Sequence, residues 1–348
     1  MTKRMLAAFL DGPLAVALRE TEAPALTDER ILVRVRSVGI CGSDVHYYRH
    51  GRMGPFVPSE PLVLGHESAG EVVAVGSRVR GFAPGDRVAL EPGIPCGRCE
   101  PCKRGRYNLC PSVYFMGSAP NQHGAFRELV SWDPGFAYRL PGGVCFEEGA
   151  LLEPLAAAVY AARLGGVTAG SRVAVFGSGP IGLLITQVAR AMGAVQAIVC
   201  DRDAERLSRA AEFGATETVR ADGADPIAFI RGWTAGEGVD VAFEAAGSPQ
   251  SHRQCVECAT RGGTVVFVGW LAEGELALDL HAIGTKELTV RGMFRYRNVF
   301  PEALALVERG MVQPRRLVSG RFPLANVVQA LEEAMARRPG TLKIMIEA

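Results

Sequence analysis

The sequence has no apolar run of the roughly 18 residues that a helix needs to cross a bilayer. It also has almost no excess charge, because 38 lysines and arginines are balanced by 37 aspartates and glutamates, a net charge of +1. A chain so balanced, and without a basic tract, has no general attraction for nucleic acid or for anionic lipid. We therefore expect neither a nucleic-acid partner nor a membrane partner.

The N-terminal stretch MTKRMLAAFLDG lacks a signal-peptide pattern, because its apolar part stops at Asp11 without a cleavage site. We predict a first β-strand there. The nine cysteines are not arranged as the disulfide framework of a small secreted domain. The expectation is a cytoplasmic protein with metal-bound and free thiols.

Glycine is the residue in excess. The chain has 41 glycines in 348 residues, above the usual share of about 7%, which indicates many tight turns or close approaches of the backbone to a ligand. The length and a hydrophobic content of 48% suffice for two domains.

The pattern of elements changes near residue 150. Before it, short alternating stretches at 31–40, 68–76 and 86–93 predict half-buried strands separated by glycine and proline turns. The Ala/Leu-rich stretch 147–166 predicts one long helix. From Arg172 strand and helix patterns alternate, which favours an α/β domain with a doubly wound parallel sheet.

A nucleotide site is predicted where a strand meets a helix. RVAVFGSGPIG carries Gly177, Gly179 and Gly182 as G-x-G-x-x-G, in the strand-to-helix context that the motif requires. The glycines allow a pyrophosphate to approach the helix N-terminus, and Pro180 suits the first helical turn. The alternative is a glycine-rich turn without a ligand.

Asp201 ends the following strand, twenty-four residues after Gly177. An acid at this place hydrogen-bonds a ribose 2′-OH and repels a 2′-phosphate, so NAD is favoured over NADP. Arg202 and Arg206 follow and could lie near the adenosine, which leaves the exclusion of NADP open.

Two groups of residues have the chemistry of metal ligands. Within Pro92–Cys110 the chain places four cysteines, whose thiolates would close a tetrahedral zinc site completely and leave no position for water or substrate. These are Cys96, Cys99, Cys102 and Cys110. We predict a structural zinc loop at 92–112, with a disulfide or a shared redox function as alternatives.

The second group is mixed. Cys41, His66 and Glu67 supply a thiolate, an imidazole and a carboxylate, a set typical of zinc with an open coordination position. Alone, Cys41 or His66 would more often be an ordinary buried residue. Glu153 lies in an apolar helix start, so it is either a neighbour of the zinc or a charge at a helix end.

Taken in order along the chain, these motifs resemble the zinc-dependent medium-chain dehydrogenases. The motifs are CGSDVHY, GHESAGEV, GDRV, the four-cysteine loop, EPL and GSGPIG, and the pieces GRYNLC, LEPLAAAVYAA and FRYRN are similar to the polyol branch of sorbitol and xylitol dehydrogenases. The resemblance covers essentially the whole chain. It implies a GroES-like catalytic domain at 1–150, a Rossmann domain at 151–292, and a C-terminal segment at 293–348 that returns to the catalytic domain.

The resemblance also implies roles for single residues. Cys41, His66 and Glu67 match the catalytic zinc ligands, and Glu153 matches either a further ligand or the residue that holds the zinc-bound water. Ser43 matches the hydroxyl that takes the substrate proton, and His46 matches the residue that passes it to solvent. Positions that line the polyol pocket are matched by Tyr47, Phe115, Glu153, Arg295 and Tyr296. Cofactor contacts are matched by Ile181, Asp201, Arg206, Val268, Gly269 and Phe294.

The implied activity is NAD-dependent oxidation of a secondary hydroxyl of a polyol to a ketose, with one catalytic and one structural zinc per chain. Dehydrogenation of a sugar acid such as idonate, of threonine or of a simple secondary alcohol is the alternative within enzymes. A non-catalytic redox sensor or structural protein that binds NAD is the alternative from another class. The family tends toward dimers and tetramers, and the stretch 287–294 is a candidate sheet edge for such contacts.

The sequence departs from the family pattern in two places. The four-cysteine set is complete, whereas animal sorbitol dehydrogenases have generally lost it, and SAPNQHG at 118–124 replaces the usual A-T-P-P-x-D-G. The resemblance therefore does not determine the substrate. A further C-x-x-C, Cys255 and Cys258, is predicted to lie on a buried helix face.

Overall fold

The computed structural model describes residues 4–271 and 275–348. The chain divides into two compact units, of which one comprises the residues up to Glu153 together with Phe300–Ala348, and the other comprises Pro154–Val299. Within the described ranges, no helix has both the length and the apolar character required to span a membrane.

The elements follow one another along the chain in three groups. The N-terminal group contains β1 (Arg4–Gly12), β2 (Ala15–Glu22), β3 (Ile31–Gly39), α1 (Gly42–His50), β4 (Leu62–Val63), β5 (Glu67–Val75), β6 (Arg87–Leu90), β7 (Gly93–Ile94), α2 (Glu100–Lys103), β8 (Tyr114–Phe115), β9 (Leu129–Trp132), β10 (Ala137–Arg139) and α3 (Phe146–Ala150). The middle group contains α4 (Leu152–Gly165), β11 (Arg172–Phe176), α5 (Pro180–Ala191), β12 (Gln196–Asp201), α6 (Ala204–Ala210), β13 (Glu217–Arg220), α7 (Pro226–Trp233), β14 (Val239–Glu244), α8 (Pro249–Cys258), β15 (Ala259–Phe267), α9 (Leu280–Thr285) and β16 (Thr289–Gly292). The C-terminal group contains α10 (Phe300–Glu308), β17 (Val318–Pro323), α11 (Val327–Ala336) and β18 (Lys343–Glu347).

Seven strands of the first unit form a largely antiparallel sheet in the order β10-β6-β5-β3-β18-β17, with β9 also paired to β3. Two smaller sheets have the orders β2-β1-β4 and β7-β8. Strand β3 shows why this sequence is a strand: Ile31, Val33 and Val35 are fully buried and alternate with partly exposed residues. Each such side chain contributes on the order of 1.5–3 kcal/mol by leaving water. The C-terminal strand β18 therefore completes the sheet that the N-terminal strands begin.

The long helix predicted at 147–166 is wrong in one respect, because the structure forms α3 and α4 separately. Proline has no backbone N–H, so Pro154 cannot continue the hydrogen bonds of a preceding helix. It is tolerated within the first turn of a new helix, and α4 begins at Leu152. Glu153 consequently lies at a helix start and not in a helix interior.

The second unit contains a parallel sheet in the order β13-β12-β11-β14-β15-β16. In chain order this is 3-2-1-4-5-6, the arrangement that binds dinucleotides at the carboxyl ends of its strands. The central strand β11 is buried on both faces, as its continuous apolar sequence predicts. Cys255 and Cys258 are buried on α8, so the predicted helix face is confirmed.

Candidate active site and structural metal centre

Two neighbouring strands of the first unit bring the mixed group of ligands together. Strands β3 and β5 are antiparallel, and Gly39 at the end of β3 pairs with Glu67 at the start of β5. A Cβ at Gly39 would overlap a carboxylate oxygen of Glu67, so glycine leaves the room that this side chain occupies. Cys41 follows as the N-cap of α1.

The ligand atoms of Cys41, His66 and Glu67 lie within 4.8 Å of one another. Burial and the carboxylates of Glu67 and Asp44 raise the pKa of the Cys41 thiol to about 11, while the Lys343 ammonium opposes that rise. A divalent cation would favour the thiolate strongly. The donor set therefore fits a zinc ion with one position left open for water or substrate.

Asp44 is a buried residue of this site that sequence reasoning missed. Its carboxylate accepts the backbone N–H of Cys41 at 2.8 Å and that of Gly65 at 3.0 Å, so it joins the two segments that carry the ligands. One carboxylate oxygen lies 3.8 Å from Nδ1 of His66, which leaves Nε2 for a metal. The sequence signal for Asp44 was its position three residues after Cys41, the N-cap of α1, where an acid completes a capping box.

Lys343 is the second residue that the sequence did not reveal. Its ammonium donates to both carboxylate oxygens of Glu67 at 2.7 Å and to the carbonyl of Ile40 at 3.0 Å. Burial opposes its charge, but Glu67 and Cys41 outweigh burial and raise the pKa of Lys343. The sequence signal for Lys343 was a single lysine in the apolar strand LKIMIEA, because a lysine is rarely buried unless it is paired.

The predicted proton carriers both lie on α1. The Ser43 hydroxyl hydrogen-bonds the Cys41 thiol. Burial, followed by the charges of His50, Arg337 and Arg49, lowers the pKa of His46. A lowered pKa keeps the His46 imidazole neutral at pH 7, in the form that can accept a proton.

Two predicted pocket residues are held by the segment 118–124, which departs from the family pattern. The hydroxyl of the buried Tyr47 accepts the backbone N–H of Ala119 at 3.2 Å. The backbone N–H of Phe115 donates to the side-chain oxygen of Gln122 at 2.6 Å, and the Phe115 ring lies 5.5 Å from the His66 ring. The departing segment therefore positions side chains beside the metal ligands.

Glu153 is buried in the first turn of α4, but it is not among the three side chains whose ligand atoms lie within 4.8 Å. Its charge contributes to the raised pKa of Lys343. Its role as a direct ligand or as the holder of a bound water stays a prediction.

The other predicted pocket residues belong to the second unit. Arg295 has a left-handed backbone, with φ of 53°, and its guanidinium lies 4.8 Å from the centre of the Phe294 ring. A non-glycine residue with this backbone conformation is less stable by roughly 1–2 kcal/mol. Backbone strain of this kind is concentrated at functional sites. Tyr296 is buried.

The glycine-rich loop of the second unit fits a pyrophosphate. A Cβ at Gly182 would overlap the carbonyl oxygen of Gly177, and one at Gly177, where φ is 114°, would lie 2.8 Å from the Ala245 carbonyl carbon. A Cβ at Gly179 would meet no atom of the residues that the structure describes within 4 Å. Packing explains two of the glycines, and a ligand that approaches the helix N-terminus explains the third. Pro180 is the first residue of α5.

The Asp201 carboxylate ties this loop to the end of β12. One oxygen accepts the backbone N–H and the hydroxyl of Ser178 at 2.5 and 2.9 Å, and the other accepts the N–H groups of Arg202 and Asp203. A ribose hydroxyl would therefore share or replace the Ser178 contacts. The Arg202 side chain is exposed, whereas Arg206 is paired with Asp203 at 3.4 Å. Among the other predicted cofactor contacts, Ile181, Val268 and Gly269 are partly exposed.

The four cysteines of the 92–112 loop form a separate cluster in the first unit, with their sulfur atoms within 4.8 Å of one another. N–H groups of Arg98 and Cys99 lower the pKa of Cys96 to about 6, which favours its thiolate. Desolvation and the neighbouring sulfurs raise the pKa of Cys102 to about 12. The cluster fits a closed zinc site, because one cation would stabilise all four thiolates together.

This cysteine loop is also fastened by a buried carboxylate. Glu91 accepts the hydroxyls of Tyr107 in the loop and of Tyr138 on β10, at 2.7 and 2.8 Å. Its backbone carbonyl accepts the indole N–H of Trp132 at 3.2 Å. The position of the loop against the sheet therefore depends on more than the four sulfurs.

Two family models match this chain. The model described as "Alcohol dehydrogenase GroES-like domain" matches residues 27–142, and the model described as "Zinc-binding dehydrogenase" matches residues 180–309. Sorbitol dehydrogenase of Bacillus subtilis (strain 168) is 38% identical over 344 residues, which are 99% of this chain and 97% of that protein. Mouse sorbitol dehydrogenase is 41% identical, over 98% of this chain and 95% of its own length.

Solved structures agree with this assignment. A putative zinc-binding dehydrogenase from Sinorhizobium meliloti 1021, bound to NADP, superposes with a TM-score of 0.93 at 36% identity and covers 99% of this chain and 100% of its own. L-idonate 5-dehydrogenase from Escherichia coli K-12 has a TM-score of 0.93 at 31% identity, with 100% and 99% covered. The fold class and the resemblance predicted from the motifs are confirmed. The chain belongs to the zinc-dependent medium-chain alcohol and polyol dehydrogenase family.

Proposed function

We propose that this chain oxidises a secondary hydroxyl of a sugar alcohol of the sorbitol or xylitol type to a ketose, with NAD as acceptor. The polyol carbon loses a hydride to NAD⁺ and its hydroxyl loses a proton, so the products are the ketose, NADH and H⁺. The observation that carries the proposal is the group of Cys41, His66 and Glu67, two of them buried and Cys41 partly buried, in a chain that is similar to sorbitol dehydrogenases.

Cys41, His66 and Glu67 would hold the zinc ion, and Asp44 would fix the orientation of the imidazole. When bound, zinc supplies a Lewis acid for a substrate hydroxyl, and NAD supplies the hydride acceptor. Lys343 keeps both oxygens of Glu67 in one orientation. The chain's own contribution to this part of the site is a fixed set of ligands.

Ser43 and His46 would carry the proton. Ser43 lies beside Cys41. Its hydroxyl oxygen would take the proton that the substrate hydroxyl loses, while its own proton would pass on toward His46. His46 lies one turn further along α1, and its lowered pKa makes it a neutral acceptor at pH 7. Arg49, His50 and Arg337 favour release of that proton to solvent.

The pocket side chains Tyr47 and Phe115 would contact the polyol, and Arg295 and Tyr296 would orient its distal hydroxyls. The segment 118–124, which departs from the family pattern, holds both Tyr47 and Phe115 by hydrogen bonds. It therefore supports a substrate specificity that differs from that of other family members. The competing substrate class is a sugar acid. Arg295 favours it, since a guanidinium binds a carboxylate well, and the similar solved structure named L-idonate 5-dehydrogenase is consistent with it.

A substrate panel with NAD separates the two classes. Sorbitol, xylitol, L-idonate, threonine and 2-propanol are compared by kcat/KM with the zinc-loaded enzyme. We expect sorbitol or xylitol to give the highest value. A higher value for L-idonate would replace the polyol by the sugar acid, and a flat profile would contradict a dedicated polyol pocket.

The preference for NAD is proposed from Asp201. Asp201→Ala should narrow the ratio of kcat/KM for NAD over NADP by about tenfold, because the 2′-phosphate would no longer meet a carboxylate. Initial rates with both cofactors measure this ratio. Ser178→Ala is the matched control, since it removes one hydrogen bond to the same carboxylate and keeps the charge. Unchanged kinetics of the Asp201→Ala enzyme with both cofactors would refute this role.

We also propose a homo-oligomer, a dimer or a tetramer, that uses the exposed edge strand β16. All four residues of β16 are exposed, and β16 stands at the end of the strand order. Edge strands offer unpaired backbone groups to a second chain. Val290→Lys should therefore lower the molar mass measured by light scattering, whereas Thr218→Lys on the opposite edge strand β13 should not. Equal masses for both variants and the wild type would exclude this edge.

The cytoplasmic location stays part of the proposal and rests on the cysteines. Metal-binding thiols remain reduced in that compartment. Fractionation of cells that express the protein would test it, and recovery in a secreted fraction would contradict it.

A further inference from the structure

Two loops of the second unit follow neighbouring strands at the ligand-binding end of the parallel sheet. Residues 245–247 follow β14, and residues 268–270 follow β15. In a sheet of this order, the strands β11, β12 and β13 serve the adenosine half of a dinucleotide, and β14, β15 and β16 serve the nicotinamide half. Both loops therefore belong to the nicotinamide half.

One residue, Glu244, hydrogen-bonds to both loops. Its Oε1 accepts the backbone N–H groups of Ala246 at 2.9 Å and of Gly247 at 2.8 Å. Its backbone carbonyl accepts the N–H groups of Val268 at 2.9 Å and of Gly269 at 2.8 Å. The side chain thus holds the first loop and the main chain holds the second.

The loops also touch each other through glycines. A Cβ at Gly247, where φ is 68°, would lie 2.8 Å from the carbonyl oxygen of Trp270. A Cβ at Gly269 would lie 2.6 Å from the nitrogen of Gly247 and would overlap Oε2 of Glu244. The arrangement is therefore tight, and the Glu244 carboxylate fills the space directly beneath the contact.

The Glu244 carboxylate lies in surroundings from which water is excluded, so its burial carries an energetic penalty. Glu244 is fully buried, and Ser251 gives Oε1 a third hydrogen bond at 2.7 Å. Among the described residues its Oε2 has no hydrogen-bond partner, although Nε2 of the buried His252 lies 3.6 Å from it, within ion-pair distance. Burial of a carboxylate is unfavourable unless its contacts compensate for the lost hydration, and two of the contacts that Glu244 makes are those to the loop N–H groups.

We propose that Glu244 is a positioning residue for the cofactor, which holds the loops 245–247 and 268–270 in the arrangement that receives the nicotinamide half of the dinucleotide. This inference rests on the proposed function, because it requires that the chain binds a nicotinamide dinucleotide. It goes beyond that function by assigning a buried residue that need not contact the cofactor.

The test compares a whole cofactor with its adenosine half. Dissociation constants for NADH and for AMP are measured by fluorescence and calorimetry on the full-length, zinc-loaded protein. Glu244→Ala should weaken NADH binding about tenfold or more, since two loop N–H groups lose a charged acceptor. AMP binding should stay within about twofold, because AMP occupies only the adenosine half of the site, near Asp201 at the end of β12.

Two further variants make the result specific. Glu244→Gln keeps an acceptor oxygen for the loop N–H groups and should restore NADH binding to within about threefold of wild type. If Glu244→Ala does not fold, as judged by thermal unfolding, Glu244→Asp withdraws the oxygen by one methylene and should show the same selective loss.

The outcomes separate this inference from the proposed function. NADH binding that is unchanged in Glu244→Ala or Glu244→Asp overturns the positioning role, and so does an equal loss of NADH and AMP binding. A wild-type chain that binds neither NADH nor AMP contradicts the proposed function itself.

Discussion

Cys41→Ser should abolish turnover with every polyol while the chain stays folded. The substitution removes the one thiolate of the group that also contains His66 and Glu67, and a hydroxyl is a far weaker zinc ligand than a thiolate. The Lewis acid contributes several kcal/mol to the reaction. We therefore expect kcat/KM to fall by at least about 10³-fold.

The matched control is Cys145→Ser. Cys145 is also the N-cap of a helix, and the acid three residues later, Glu148, accepts its backbone N–H just as Asp44 accepts that of Cys41. It belongs to neither group of metal ligands. We expect its activity to equal that of the wild type, so a loss specific to Cys41→Ser reports the metal site and not the cap.

Metal analysis completes the experiment. The wild type should bind one zinc at each of the two groups of ligands, and Cys41→Ser should keep only the zinc of the four-cysteine loop. Substantial polyol oxidation by a Cys41→Ser protein that has lost the zinc of the Cys41, His66 and Glu67 group would contradict the mechanism.

Lys343→Met should destabilise the zinc-free chain by about 3–5 kcal/mol, because it leaves the Glu67 carboxylate buried without its partner. Both side chains are almost fully buried, and the ammonium contacts both carboxylate oxygens. The free energy of unfolding is measured by urea titration in the presence of a chelator. Methionine resembles the lysine stem in volume, so packing changes little.

Zinc should reduce this loss. A bound cation would face Glu67 in place of the missing ammonium, so zinc should raise the stability of Lys343→Met more than that of the wild type. The double variant Glu67→Gln with Lys343→Met isolates the pair. If Lys343→Met costs as much in the Glu67→Gln background as in the wild type, the ion pair is not the cause.

Local sequence patterns were sufficient for several parts of the site. The four cysteines lie within nineteen residues, so their spacing alone brings the sulfurs together. The glycine loop, its strand and α5 are likewise contiguous, and each glycine has a local steric or ligand-related reason. The alternation of β and α segments predicted the parallel sheet, because apolar periodicity depends on the faces that each element buries.

Local patterns were less reliable where an element starts or ends. The break between α3 and α4 follows from Pro154, although the Ala/Leu composition favours one helix. The family resemblance implies a C-terminal segment that begins at residue 293, whereas residues 293–299 belong to the second unit in the structure. The backbone N–H of Met293 donates to the carbonyl of Phe267 in the second unit. No local sequence pattern shows this contact.

The sequence by itself determined the types of ligand, the cofactor loop and the class of fold. Only the tertiary structure decided which buried charges support them. Lys343 meets Glu67 from 276 positions away, because β18 returns to the sheet beside β3. Glu244 fixes two loops, because β14 and β15 are parallel neighbours. A buried charge is stable only beside its partner, and the fold brings such partners together from distant parts of the chain.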